Sequence, residues 1–323
     1  MTDEQKLADL AKIGKETVDL FSFRKLEVCL GLPRNEIRSI ASRAGGFYDP
    51  FPKKQKVRPF QQKFKPHKVR TIDNPIEPLK SLQKEINDRI LRKVALPDYV
   101  YGGVKGKRVL DNVLLHFGSR ALVTMDIRSF FPSITNLQVF RVWRNDLNCS
   151  PRIASLLTRL TTFQRRLPQG ACTSTTLANL VLSSIYCPIQ VECEKQGVLY
   201  STWVDDLAFS GSEARQVIQV PVETLRGAGF SVSRRKLKVM GPADRKILTG
   251  VLMSRFPSVV PEYLSQLRAG IHRLLMKDVD PSEMASYIRS LEGRIAHVAS
   301  IVPLKSKKLL RDLENAKRAC RAA

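Results

Sequence analysis

Two adjacent carboxylates, Asp205 and Asp206, are the side chains of this 323-residue chain whose spacing points most directly to chemistry. They follow a run of mostly β-forming residues, Tyr200–Val204, and a second apolar run begins at Leu207. This pattern predicts a strand, a tight turn and a second strand, with both acids at the tip of the hairpin. Because adjacent carboxylates repel each other, holding them together is costly unless a cation neutralises them. Taken alone, the pair also fits an ordinary solvated turn.

A third acid, Asp126, ends a short apolar run that begins at Ala121. The run predicts a buried strand that delivers the carboxylate at its carboxyl end, where sites of sheet proteins are common. Two strands that end in acids can bring their carboxylates together around hard divalent cations such as Mg2+, which prefer oxygen ligands. Two-metal phosphoryl transfer uses such an arrangement, because the ions activate the attacking oxygen and neutralise the leaving one.

Three segments around these acids resemble the ordered motifs of reverse transcriptases. Asp126–Ser133 resembles motif A, Leu167–Ser174 resembles motif B, and Trp203–Asp206 resembles motif C, with Trp203 in place of the usual tyrosine. Three matches in the family's order are more specific than any one of them. The resemblance implies an α+β right-hand polymerase fold, with fingers and palm made of an antiparallel sheet plus helices and a helical C-terminal thumb.

The same resemblance divides the chain into three parts. We expect an N-terminal helical segment over residues 1–48, the fingers and palm over 49–255, and a basic helical thumb over 256–323. Leu264, Leu267, Ile271 and Leu274 recur at the spacing of one helical face, which agrees with a helical C-terminal part. Leu79–Ala95 also has an apolar face at helical spacing and predicts a helix before the first acid.

The charge of the chain points to a polyanionic partner. Lysine and arginine number 54 against 30 acids, which gives a formal net charge of +24. An excess of this size favours nucleic acid over an acidic membrane surface. No apolar run is long enough to span a bilayer and the N-terminus lacks a secretory signal, so we expect a cytoplasmic protein with reduced cysteines and no membrane partner.

Several residues acquire substrate roles through the resemblance. The basic stretch Pro50–Arg70 is either a solvated hairpin or a phosphate-binding finger, and the fingers of the family place Arg70 at the nucleotide's phosphates. Gln169 and Gly170 would position the incoming nucleotide, and Lys236 would contact the departing pyrophosphate or protonate it. Phe131 occupies the position of a bulky aromatic that excludes a ribose 2′-hydroxyl, whereas viral RNA-dependent RNA polymerases usually carry a small acidic residue there.

Two further segments are near matches to signatures of the retron type. Asn112–His116 resembles an Asn-Ala-x-x-His signature, and Leu248–Gly250 resembles a Val-Thr-Gly signature. The resemblance implies RNA binding by Asn112, His116, Thr249 and Gly250, and the basic thumb adds Lys305 and Lys308. Spacing alone instead predicts His116 as a helix-surface or capping residue.

The implied reaction is attack of a primer hydroxyl on the α-phosphate of an incoming deoxynucleoside triphosphate. Two Mg2+ ions would be held by Asp126 and Asp205, with Asp206 and the Ile127 carbonyl completing the site. A retron enzyme would use a structured noncoding RNA as template and primer and make an RNA–DNA hybrid, msDNA, that stays bound. Such systems usually act in antiphage defence with a separate effector protein.

Two other functions remain open at this point. The net charge of +24 equally fits a non-catalytic nucleic-acid-binding scaffold that holds an effector inactive. An untemplated abortive-infection polymerase would share the acids but not the template. The three acids Asp126, Asp205 and Asp206, together with Phe131 and Gln169, favour catalysis over a scaffold. The sequence of the product would distinguish a templated from an untemplated polymerase.

Overall fold

The computed structural model describes residues 18–54 and 69–321 and shows a mixed fold of helices and antiparallel sheets. The expected N-terminal helix up to residue 17 and most of the basic stretch between Pro50 and Arg70 lie outside the described residues. The helices are α1 (Phe23–Leu30), α2 (Arg34–Ser42), α3 (Leu79–Arg89), α4 (Val109–Leu115), α5 (Phe130–Ser133), α6 (Asn136–Arg141), α7 (Pro151–Thr161), α8 (Ser174–Lys195), α9 (Gln219–Gly227), α10 (Pro261–Leu275), α11 (Met284–Ile301) and α12 (Pro303–Arg321). The strands are β1 (Tyr48–Lys54), β2 (Val69–Pro75), β3 (Leu122–Asp126), β4 (Leu199–Trp203), β5 (Asp206–Ser210), β6 (Lys238–Met240), β7 (Lys246–Leu248), β8 (Val251–Met253) and β9 (Pro257–Val259).

A four-stranded antiparallel sheet with the order β4-β5-β3-β6 carries all three acids. The β4–β5 hairpin and the β3 strand confirm what the apolar runs predict. In the register of β3 and β5, Asp126 lies opposite Asp206, so the two carboxylates start from the same end of the sheet. Because side chains alternate along a strand, each strand contributes to both faces of the sheet.

One face of the sheet packs against α8 and the helices around it. Tyr200 and Phe209 are paired across β4 and β5, and their rings stack with centroids 5.1 Å apart. Tyr186 of α8 and Tyr99 pack against Tyr200, with centroids 6.1 and 5.0 Å away. This aromatic cluster belongs to a large apolar core that also includes residues of α1, α2, α3 and α7.

One helix boundary differs from the sequence prediction. The helix expected over 79–95 ends at Arg89, and a short 3-10 turn, Leu91–Lys93, follows it. Ile90 and Val94 are still buried, so the apolar spacing reports burial correctly although the helix stops earlier. Thr173 is the N-cap residue of α8 but its side chain makes no capping hydrogen bond, and the Ser174 hydroxyl instead donates to the Pro168 carbonyl.

The C-terminal part combines a small sheet with three packed helices. Strands β7, β8 and β9 form a three-stranded antiparallel sheet, and α10, α11 and α12 pack beside it around a second apolar core. Leu122 and Ala208 from the other face of the four-stranded sheet join this core. The expected boundary after residue 255 falls in the turn between β8 and β9, and the division into three domains stays a prediction.

The described residues also bear on two expectations from composition. None of the six cysteines is joined in a disulfide bond within the described residues, and their reduced state stays a prediction. None of the helices in the described ranges is long and apolar enough to cross a membrane.

Candidate active site

Three carboxylates meet at one end of the four-stranded sheet. Asp126 is the last residue of β3, Asp206 is the first residue of β5, and Asp205 lies in the turn that precedes it. The Ile127 amide donates to the Asp205 carbonyl at 3.0 Å, which ties the chain after β3 to the hairpin turn. Asp126 is almost fully buried, whereas Asp205 and Asp206 are half-buried. The acids therefore lie at a rim that is open to a substrate on one side.

The hairpin turn carries a strained residue and is packed closely from outside. Val204 has a φ of 60°, in the left-handed region that is unfavourable for a β-branched side chain. Gly102 lies against this turn, and a Cβ there would be 2.4 Å from the Val204 nitrogen. The Asn179 side-chain amide holds the Gly102 carbonyl at 2.8 Å. Gly102 thus allows its segment to pack directly against the hairpin turn and support it.

Burial and mutual repulsion raise the pKa values of the paired acids. Desolvation, followed by the charges of Asp206 and Asp126, raises the pKa of Asp205 to about 6. Desolvation and the Asp126 charge raise the pKa of Asp206 to about 6, while Lys236 acts in the opposite direction. These carboxylates are therefore costly to ionise in the fold, which is the condition that a bound cation relieves.

Lys236 is the cation that the structure brings to the acids. Its ammonium forms an ion pair with Asp126 Oδ2. Ser233 anchors the turn that carries it, because its amide donates to the Asp126 carbonyl at 2.8 Å and its carbonyl accepts from the Lys236 amide at 2.9 Å. The turn that carries Lys236 is therefore hydrogen-bonded directly to the end of β3.

The donor chemistry of this site fits a divalent cation. The carboxylates of the three acids supply several oxygen atoms at one place, and Mg2+ prefers oxygen ligands. Within the described ranges, however, no group of three or more His, Cys, Asp or Glu side chains stands ready to hold a metal. The Lys236 ammonium takes an oxygen of Asp126 that a metal ligand set would use. A cation bound through that oxygen would compete with Lys236 for Asp126.

The loop that resembles motif B is docked onto β2 by Asp73, a residue that the sequence reasoning missed. The Asp73 side chain is 1% exposed, accepts the Gln169 amide at 3.1 Å and pairs with Arg166 at 3.3 Å. The Asp73 amide in turn donates to the Gln169 carbonyl at 2.9 Å. Gly170 has a φ of 145°, and a Cβ there would lie 2.9 Å from the Asp73 carbonyl oxygen. Gly170 is thus required for the close approach of the two segments.

The other nucleotide-binding candidates lie on separate elements around the acids. Phe131 is half-buried in α5 and packs against Phe130, with ring centroids 5.1 Å apart. Arg70 is exposed on β2, three positions from Asp73, and Ile127 is buried directly after Asp126. The structure thus joins Gln169, Gly170 and Arg70 through the β2 strand, and it joins Ile127 and Lys236 through Asp126. Their roles toward a nucleotide remain predictions.

His116 is the C-cap residue of α4, one of the two positions that spacing predicts, but both it and Asn112 are buried rather than at the protein surface. Both side chains are 0% exposed. His116 Nδ1 is 2.7 Å from Ser210 Oγ, and its Nε2 is 2.7 Å from Ser201 Oγ, so the ring bridges β5 and β4 on the face opposite Tyr200. Burial lowers the pKa of His116 to about 4. Direct RNA contact by these two side chains conflicts with their burial, and His116 instead clamps the two strands of the acidic hairpin.

The remaining candidates for RNA binding lie in the C-terminal part. Thr249 and Gly250 form the two-residue turn between β7 and β8, and both have positive φ, as a type I′ hairpin turn requires. Lys305 and Lys308 are exposed on α12, and the Lys305 ammonium lies 3.2 Å from Ser258 Oγ. Gly250 and the two lysines are accessible to a ligand, whereas the Thr249 hydroxyl is buried.

Comparisons with known proteins agree with this arrangement. The model of a family described as reverse transcriptase (RNA-dependent DNA polymerase) matches residues 51–253. The chain is 28% identical to the Retron Ec86 reverse transcriptase of Escherichia coli over 247 residues, which cover 75% of each chain. It is 30% identical over 192 residues to the Retron Se72 reverse transcriptase of Salmonella heidelberg (strain 579083-10), covering 59% of this chain and 48% of that protein. It is 26% identical over 281 residues to the Retron Mx162 reverse transcriptase of Myxococcus xanthus, covering 76% of this chain and 57% of that protein.

Proposed function

Since the chain belongs to the reverse transcriptases (RNA-dependent DNA polymerases) of the retron type, we propose a specific reaction for it. In this proposal it copies part of a structured noncoding RNA into single-stranded DNA. The product would be msDNA, in which the new DNA stays joined to its RNA. The observation that carries this proposal is the register of β3 and β5, which sets Asp126 opposite Asp206 with Asp205 in the adjoining turn. In this proposal residues 49–255 are the fingers and palm, and residues 256–323 are the thumb.

Asp126, Asp205, Asp206 and the Ile127 carbonyl would hold two Mg2+ ions. When bound, the ions would supply the charge neutralisation that phosphoryl transfer needs. The protein's own contribution is to keep the acids together despite their repulsion, through the pairing of β3 with β5 and the packing under the turn.

Lys236 would exchange partners during the reaction. Its ammonium now neutralises Asp126, and a divalent cation on Asp126 would release it. The freed ammonium remains on the turn that Ser233 anchors, within reach of the same rim. There it would contact the departing pyrophosphate, which is negatively charged and needs a proton or a cation as it leaves.

Selection of the nucleotide would depend on two segments. Gln169 and Gly170, fixed on β2 by Asp73, would position the incoming deoxynucleotide, and Arg70 on the same strand would bind its phosphates. Phe131 would exclude a 2′-hydroxyl by its bulk, because its ring is held by contacts with Phe130 and the large apolar core.

The test is the nucleic acid that copurifies with the protein when it is expressed with its native flanking DNA. Sequencing after RNase or DNase treatment should show a discrete single-stranded DNA joined to RNA. The variant with Asp205→Asn and Asp206→Asn should yield RNA without this DNA, because its acids can no longer hold the cation charge. A control with Asp98→Asn and Asp278→Asn removes the same charge from two exposed positions and should keep the DNA. RNA alone from the unaltered protein would refute templated synthesis and leave a binding scaffold.

We propose that the protein acts in antiphage defence together with a separate effector protein, as the retron type implies. Plating phage on cells that carry the whole locus tests this, with the Asp205→Asn and Asp206→Asn variant as comparison. Equal plating on both strains and on cells without the locus would contradict the defence role.

A further inference from the structure

Four arginines line one groove that lies apart from the acids. The groove has a volume of about 720 Å³ and is formed by α1, α2 and α7. We call it the arginine groove, and its cations are Arg34, Arg38, Arg152 and Arg159. Phe23, three serine or alanine residues, Pro151 and Leu156 complete the lining, and no acidic residue is part of it. All four arginines are exposed.

The four guanidinium groups form no salt bridge in the part of the chain that the structure describes, although the Glu27 carboxylate accepts a hydrogen bond from the Arg34 backbone amide at 2.6 Å. None of the ion pairs found there involves the four arginines. Guanidinium groups cannot reduce their repulsion by losing a proton, because their pKa is far above neutral pH. Gathering four of them around one depression is therefore unfavourable by itself, and it favours occupation by an anion with several charges.

Phe23 fixes two of the guanidinium groups in advance. The Arg34 guanidinium lies 4.4 Å from the centre of the Phe23 ring, and that of Arg38 lies 5.6 Å from it. The ring itself is half-buried and packs against the large apolar core. Cation–π contacts restrict the two long side chains, so less conformational entropy is lost when they bind a ligand. The planar groups keep their N–H edges available for the bidentate bonds that phosphate oxygens accept.

The spacing of the arginines fits a chain of phosphates better than one phosphate. Arg34 and Arg38 are separated by about 6 Å along α2, and Arg152 and Arg159 by about 10.5 Å along α7, at 1.5 Å per residue. Successive phosphates of one strand rise about 3.4 Å along a nucleic-acid helix axis. A row of cations of this length therefore spans roughly three phosphates.

A second groove continues the first toward the candidate active site. Its volume is about 590 Å³, it shares Ser155 and Arg159 with the arginine groove, and it adds Arg165. The next residue, Arg166, pairs with Asp73 beside the loop that resembles motif B. A track of arginines thus leads from α2 along α7 to the edge of the nucleotide-binding loop.

From this arrangement we propose that the arginine groove binds the sugar–phosphate backbone of a nucleic acid outside the catalytic cleft. The choice of nucleic acid as the ligand rests on the proposed function, in which the protein handles both an RNA template and a DNA product. An acidic protein segment would also be attracted, but the net charge of +24, the exclusive use of arginine and the continuous track all favour a nucleic acid.

The test measures how binding depends on salt. Arg152→Gln combined with Arg159→Gln removes two cations from exposed positions of α7. Arg215→Gln combined with Arg226→Gln is the matched control, since it removes the same charge from exposed positions beside α9. The probes are a labelled mixed-sequence single-stranded RNA, a DNA of the same sequence and a polyglutamate peptide. The logarithm of the binding constant falls linearly with the logarithm of the salt concentration. If two phosphate contacts are lost, this slope should become shallower by about 1.4 for a single strand.

The outcomes separate the ligands and the two proposals. A shallower slope with both RNA and DNA supports binding of the sugar–phosphate backbone that the two share. A shallower slope with RNA alone also supports the proposal and identifies the RNA template as the ligand of the groove. A slope equal to that of the control, or weaker binding of polyglutamate only, overturns it. Thermal melts check folding, and Arg38→Gln with Arg152→Gln serves as a second pair should the first pair unfold. A primer–template that is too short to reach beyond the catalytic cleft should be extended equally well by the groove variants and the unaltered protein. This assay therefore measures a loss of synthesis separately from a loss of binding in the arginine groove.

Discussion

Replacing His116 by alanine tests whether this residue stabilises the acidic hairpin or contacts RNA. Its ring is 0% exposed and bridges Ser201 on β4 and Ser210 on β5, each at 2.7 Å. The alanine variant leaves two buried hydroxyls without their partner and a cavity where the ring was. The first effect costs about 1–3 kcal/mol for each unsatisfied group, and the cavity adds to it. Ser119 also donates to Ser210 and retains one bond, so we expect a total loss of about 3–5 kcal/mol.

Urea unfolding followed by tryptophan fluorescence measures this loss. The chain has two tryptophans, and they report on different places, because Trp143 is buried in the large core and Trp203 lies at the end of β4. His272→Ala is the matched control, since His272 is exposed on α10, and it should change stability by less than about 0.5 kcal/mol.

The pH dependence of the same measurement has a defined sign. The pKa of His116 falls from 6.5 to about 4 in the fold, so the fold favours the neutral ring. The stability that depends on the neutral ring is complete above pH 6.5 and is lost as the pH falls from 6.5 to 4. The difference between the unaltered protein and the alanine variant should therefore shrink by roughly 3 kcal/mol over that interval.

A triple variant decides between the two roles of His116. His116→Leu with Ser201→Ala and Ser210→Ala removes every member of the bridge and fills the space, so stability should return to within about 1.5 kcal/mol of the unaltered protein. RNA affinity should then be normal. A stable alanine variant with weak RNA binding, not rescued in the triple variant, would refute the clamp and restore His116 as an RNA ligand.

Three further predictions concern the surroundings of the acids. Asp205→Asn should raise the melting temperature at pH 8 but not at pH 4, because the raised pKa values of about 6 mean that repulsion grows as the pH rises from 3.8 through 6; equal shifts at both pH values would contradict this. Gly102→Ala should lower primer extension by about 100-fold through displacement of the turn at Val204, whereas Gly45→Ala, with open space around its Cβ, should not. Asp73→Ala should raise the KM for deoxynucleotides several-fold more than it lowers kcat, measured by steady-state extension, since Gln169 loses its anchor; an effect on kcat alone would argue against that role.

The sequence predicted the parts of the site whose positions depend on local patterns. The run before Asp126 and the two runs flanking Asp205 have the composition of strands, and both became strands that end at the acids. The apolar spacing in residues 264–274 likewise identified α10. In each case the residues that determine the structure are neighbours in the chain, so the pattern is visible without the fold.

The roles that the sequence did not reveal depend on contacts between residues that are far apart in the chain. Asp73 contacts Gln169, and His116 contacts Ser201 and Ser210, through side chains that look like ordinary surface polar residues in their own segments. His116 follows α4, where spacing predicts exposure, and only the packing of that helix under the sheet buries it. A polar residue buried by distant elements carries no local signal, which explains both misses.

The acidic hairpin formed by β4 and β5 needs contacts from several sides, because its own charges and backbone conformation destabilise it. The carboxylates repel each other and Val204 has an unfavourable φ, so an isolated hairpin of this sequence would separate or slip. The fold prevents this by pairing β5 with β3, stacking Tyr200 and Phe209 on one face and bridging Ser201 and Ser210 with His116 on the other. These supports belong to elements that fold around apolar cores and need no cation. Because these supports lie outside the carboxylates, substitutions beneath the hairpin should reduce DNA synthesis even though every carboxylate remains.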